Sequence, residues 1–130
     1  MFTIGQIADA NSRVKSGADF PQLVRDLIAL GIIANDVFVS DGRAVYFGEN
    51  GDSVETAACY PALDIAATSD PGKFREYLKL HQQGETDFPT FCRHSAETGV
   101  KYWRLDFAKM TCTYFDNTGA IVLVEKIPSI

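Results

Sequence analysis

The stretch Asp19-Phe20-Pro21-Gln22-Leu23-Val24-Arg25-Asp26-Leu27-Ile28-Ala29-Leu30-Gly31 reads as a helix with both ends marked. Asp19 is placed to cap the free N–H groups, and Pro21 falls in the first turn, where a missing N–H costs nothing. Phe20, Leu23, Val24, Leu27 and Ile28 form an apolar stripe, and Gly31 stands where a left-handed cap ends a helix. The same signals return 68 positions later as Asp87-Phe88-Pro89 through Gly99. Without a gap, residues 19–54 align on 87–122 with nine identities in 36 pairs. These include Arg25/Arg93, Tyr46/Tyr114, Phe47/Phe115, Gly51/Gly119 and Val54/Val122. Ordinary composition would give roughly two. An internal repeat is therefore expected.

Working outward, Thr3 and Gln6 form a capping box in front of a helix over 4–15. The shift lays that helix on a third, which follows Asp70-Pro71, carries Phe74, Tyr77, Leu78 and His81 on one face, and ends at Gly84. Strands are predicted at Val37–Ser40, Ala44–Gly48 and Val54–Ala58, the first two joined at Asp41-Gly42. Three more follow at Val100–Phe107, Thr111–Phe115 and Ala120–Glu125. The expected fold is α+β in a single domain spanning 1–130. It has two ααβββ repeats (about 3–58 and 70–126), a connector over about 59–69, and helices on one face of an antiparallel sheet. The two meanders are expected to join into one sheet of six strands. Ala120–Glu125 runs Ala-Ile-Val-Leu-Val-Glu, with no wet face by alternation. Both faces should then be covered: by pairing with Val54–Ala58 at the centre, or by a second chain in a homodimer.

Composition narrows the function. With 130 residues, 46% hydrophobic and 22% charged, the chain can bury a core without metal or disulfides. A net charge of -5, with scattered Lys and Arg, argues against nucleic acid as a partner. No apolar run approaches the roughly 20 residues of a membrane span, and Met1-Phe2-Thr3-Ile4-Gly5-Gln6 has no signal-peptide pattern. Cys59, Cys92 and Cys112 are an odd number without CxxC spacing, which fits free thiols in the cytoplasm.

His81-Gln82-Gln83-Gly84-Glu85-Thr86-Asp87-Phe88-Pro89-Thr90-Phe91-Cys92 also resembles a known family, as do Gly99-Val100 through Trp103 and Asp106, then Thr113-Tyr114-Phe115-Asp116. The resemblance is to bacterial domains of unknown function, about this length, sometimes labelled phage envelope proteins. It covers nearly the whole chain, most specifically residues 80–127. It implies no activity, cofactor or catalytic residue, and nothing in the residues supports a virion shell.

No pattern for metal, nucleotide or other cofactor is present: no HExxH, CxxC, EF-hand loop or phosphate-binding glycine run. Cys92 and His94 lie two apart on a helix, so their side chains diverge by about 200° and cannot pair. The shift sets Cys92 on the buried Val24 and His94 on the exposed Asp26. His81 is the most interesting single residue, ending its apolar stripe ahead of Gln82 and Gln83. Candidate ligand-binding residues are therefore His81, Gln82, Gln83 and Asp106. Trp103 groups with Leu105 and Phe107 as core, leaving Arg104 and Asp106 as a pair on a wet face. The expected function is a binding or interaction module for a protein or small molecule. The alternative is an enzyme acting on a small polar metabolite, with His81 as acid/base. A concave pocket holding His81 beside a second convergent polar group would favour the enzyme.

Overall fold

The structure is a computed structural model describing residues 2–14 and 19–127. The capping box forms as expected: Thr3 Oγ1 accepts from Gln6 N, and Gln6 Oε1 accepts from Thr3 N. It opens α1 (Ile4–Ser12), which stops short of the expected end at 15, a position outside the described residues. Then come α2 (Phe20–Ala29), β1 (Ile32–Phe38), β2 (Ala44–Gly48) and β3 (Ser53–Glu55). The second half runs α3 (Pro71–Gln82), α4 (Phe88–Glu97), β4 (Val100–Asp106), β5 (Thr111–Asp116) and β6 (Ile121–Lys126). Asp70 and Asp87 cap α3 and α4 by accepting from Lys73 N and Thr90 N.

All six strands form one antiparallel sheet in the order β3-β2-β1-β4-β5-β6. The meanders thus join through β1 and β4. The third strand is Ser53–Glu55, shorter than the expected Val54–Ala58, and Asp19 takes a helical backbone conformation with no side-chain capping bond to α2. Two further expectations need correction. The first strand is Ile32–Phe38, not Val37–Ser40, because it starts directly after the Gly31 cap. The adjacent polar pair Asn35-Asp36 hides it from an alternation reading. Both side chains are buried but satisfied: Asn35 donates to Val45 O, and Asp36 pairs with Arg104. The second correction concerns β6, which lies at an edge and does not meet β3, on the opposite edge. Its Ile121 and Val124 are 62% and 51% exposed, so its faces are not both covered. A bulge explains the apolar run. Tyr114 faces Leu123 and Phe115 faces Ile121, so Val122 is extra and packs on the core beside Leu123.

One face of the sheet meets the helices. Val37, Ala44, Tyr46, Trp103, Leu105, Cys112 and Tyr114 pack with Ile7, Val24, Leu27, Phe74, Leu78 and Phe91 in a single core. The opposite face carries Phe38, Tyr102 and Phe115 in a cross-strand row, with Tyr102 and Phe115 stacked at 4.6 Å. The connector closes one end, with Tyr60, Leu63 and Ile65 packed on the core. It passes so close to the α4–β4 corner that a Cβ on Gly99 (φ +83°) would stand 2.7 Å from Ser69 Cα. Glycine is required there twice over, by backbone angle and by space.

Candidate functional site

Helices and sheet do not meet everywhere. Between them lies a cavity of about 390 Å³, lined from the first half mainly by Asn11, Val14, Phe20, Leu23, Asn35, Ala44 and Tyr46. The second half contributes His81, Phe88, Trp103 and Leu105. A smaller cavity of about 80 Å³ shares Phe20, His81, Phe88 and Trp103 with it, and adds Gln82, Phe91, Cys112, Tyr114 and Glu125. The two adjoin at these shared side chains.

His81 sits on the last turn of α3, its ring stacked on Phe91 at 4.4 Å and 8°. Its Nδ1 lies 3.2 Å from the Thr86 carbonyl oxygen, which can only accept. The Thr86 hydroxyl oxygen lies at the same 3.2 Å; with the proton on Nδ1 the ring donates to this pair, and Nε2 is then the acceptor of the neutral ring. Burial pushes the His81 pKa below the ordinary imidazole value, more than the Thr86 contact raises it. Beside it, Gln82 Nε2 donates to Glu125 Oε1 at 2.6 Å. Glu125 reaches inward from β6; burial raises its pKa, with Gln82 and Tyr114 opposing. Phe88 stands edge-on to Trp103 at 6.4 Å and 80°.

The residues expected at a site divide cleanly. His81 and Gln82 come together at the cavities. Gln83 is the exposed C-cap of α3. Asp106 belongs to the opposite sheet face, where it accepts from Ala108 N and Lys109 N in the β4–β5 turn. Arg104 does not pair with it; Arg104 grips Asp36 across the strands instead. His94 is half-buried, not exposed as expected, and so is its counterpart Asp26; the His94 ring stacks on Tyr77 at 3.8 Å. Cys92 is buried in the core, where desolvation lifts its thiol to about 11. Cys112 is likewise lifted to about 12, so neither is a ready nucleophile. Among the described residues no cluster of three or more His, Cys, Asp or Glu could hold a metal, and no helix is long and apolar enough to cross a membrane.

The model of a family described as "Protein of unknown function (DUF1398)" matches residues 8–126. The chain belongs to that family. The matched span contains every residue lining the two cavities except Ile127. No curated protein matches the chain. Glu125, Phe88, Trp103 and Asn35 escape a reading of motifs because none belongs to a catalytic pattern. The signal that reaches all but Glu125 is the 68-residue shift, which sets Phe88 on Phe20 and Trp103 on Asn35.

Proposed function

We propose that this protein is a non-enzymatic binding module that takes a small molecule into the cavity between helices and sheet. The observation that carries this reading is the cavity's size and lining. About 390 Å³ falls in the ligand-site class, roughly 300–1,000 Å³, and well above the ~150 Å³ that admits benzene. The lining is mainly apolar with a few polar groups, the usual composition of such sites. The three free cysteines support a cytoplasmic setting.

We also read the chain as a duplicated ααβββ unit, and that reading explains why the cavities differ. Shifted by 68, α2 takes the bounds of α4 and β1 those of β4. The bulge between Ile32 and Ala34 becomes the one between Val100 and Tyr102. Gly42, at φ +76°, becomes Met110 at φ +53°, an uncommon angle for a side-chain-bearing residue. Each half then has its own pocket over an equivalent tyrosine, Tyr46 or Tyr114. In the second half Trp103, Phe91 and Cys112 fill the space. In the first half Asn35, Leu23 and Ala44 leave it open.

The test follows from that contrast. A thermal-shift screen against a metabolite library should find ligands that raise the melting temperature. Asn35→Trp, which borrows the second half's own residue, should abolish the shift while the protein stays folded. A ligand that binds Asn35→Trp as well as the parent sits elsewhere, and the reading fails.

The acid–base alternative is favoured by one observation: His81 has Nδ1 oriented by Thr86 and lines a concave site with Glu125. If it holds, His81→Gln will keep ligand binding and lose turnover.

A further inference from the structure

Around the smaller cavity, aromatic surface surrounds a carboxylate that has no cationic partner among the described residues. Phe88 meets Trp103 edge-on, Phe91 is tilted against the same indole at 5.6 Å, and Phe20 also lines the cavity. Glu125 is half-buried at the rim, and the partners described for it are neutral, Gln82 and Tyr114. Lys126 also lines the mouth, but it is exposed. It follows Glu125 along the strand, so alternation sends the two side chains to opposite faces. Of the other polar side chains lining it, Gln82 and Tyr114 are engaged with Glu125, and His81 in its neutral form has one ring nitrogen with a lone pair to offer.

A carboxylate, a lone-pair nitrogen and the faces of aromatic rings share one preference, which is positive charge. Ring faces attract ammonium groups through their quadrupole. A desolvated carboxylate without a counter-ion gains most from a cation brought to it. We infer that the ligand is an organic ammonium: a cationic amine head seated among Phe88, Trp103 and Glu125, with an apolar body in the large cavity. This rests on the binding reading above and names the chemical class of its ligand. The small volume suits a head group, and the shared side chains let one molecule occupy both spaces. The lowered pKa of His81 agrees, since a neutral ring does not repel the head.

Three ligands with one body separate the outcomes: 2-phenylethylammonium, 2-phenylethanol and phenylacetate. Trp103 is the chain's one tryptophan, so its fluorescence reports occupancy at the site itself. The amine should quench or shift that emission and bind about tenfold more tightly than the alcohol, with the carboxylate weakest. Glu125→Gln should bring amine and alcohol level, and Phe88→Leu, at a partly exposed position, should weaken the amine without unfolding the protein. Equal binding of amine and alcohol to the parent, or tighter binding of the carboxylate, overturns the cation inference and leaves the cavity reading standing. If none of the three perturbs Trp103, while the library screen still yields a ligand blocked by Asn35→Trp, the inference also falls alone. If that screen fails too, both fall.

Discussion

His81 and Glu125 face one another's surroundings with opposite titration behaviour. His81 has its pKa lowered from the ordinary 6.5 by burial, so folding disfavours its protonation. Its contribution to stability is present above the unfolded value and is lost as pH falls through the folded one. Glu125 has its pKa raised from 4.5, again by burial, and its contribution is present at low pH and lost as pH rises. Lowering the pH from about 7 to about 5.5 therefore pits a loss at His81 against a gain at Glu125. His81→Gln should flatten the acid-side fall in melting temperature, whereas Glu125→Gln should steepen it. Unchanged pH profiles in both variants would show that neither group is desolvated as described. At this scale the sequence told half the story. His81 and Gln82 were legible as the polar end of an apolar helical stripe. Glu125 was not, because it reaches the site only through the sheet, 43 residues away from Gln82 in the chain.

Helices were easier to read than strands, for a physical reason. A helix declares itself locally: Asp70 and Asp87 cap, prolines enter the first turns, and buried stripes repeat at helical spacing. A strand's place in a sheet depends on partners far away. The apolar run in β6 looked like a strand needing cover on both faces, yet a bulge turns two successive residues, Val122 and Leu123, toward the core. That leaves Ile121 and Val124 exposed on an edge of six residues, while the edge at β3 is only three residues long, two of them the polar Ser53 and Glu55. Sheets usually blunt long apolar edges. We propose that a second copy of the chain pairs along β6, closing the sheet about a twofold axis. Val122→Lys should lower stability by about 1–3 kcal/mol, because it strands a charge against the core. Val124→Lys should leave stability within about 0.5 kcal/mol of the parent and convert dimer to monomer in sedimentation velocity. A parent that sediments as a monomer at all accessible concentrations removes the proposed pairing.

At the scale of the whole molecule, the two halves meet along β1 and β4, and the meeting is symmetric. Phe107 N donates to Ile33 O, and Val39 N donates to Lys101 O; a shift of 68 converts one bond into the other. The same operation exchanges Asp36 and Arg104, which are directly paired in the sheet. At that midpoint the halves differ most usefully. Arg104 Nε and Nη2 reach Asp36 Oδ1 and Oδ2 at 2.6 and 2.7 Å, a two-pronged pair on a carboxylate that is only 6% exposed. Two copies of the first half would set Asp36 against Asp36, and two copies of the second Arg104 against Arg104. Like charges directly opposite in a sheet repel. On this reading the central pair would make each half specific for the other, a registry role often served by buried polar contacts. Cutting the chain between Ala67 and Thr68, both exposed in the connector, should give fragments that recombine one to one. Native mass spectrometry of the mixture should show the heterodimer in large excess over either homodimer. Asp36→Arg in the first fragment should abolish recombination, and Arg104→Asp in the second should restore it. If the exchanged pair fails to recombine while each single variant still does, the specificity lies in the apolar contacts of β1 with β4 and not in the charges at their centre.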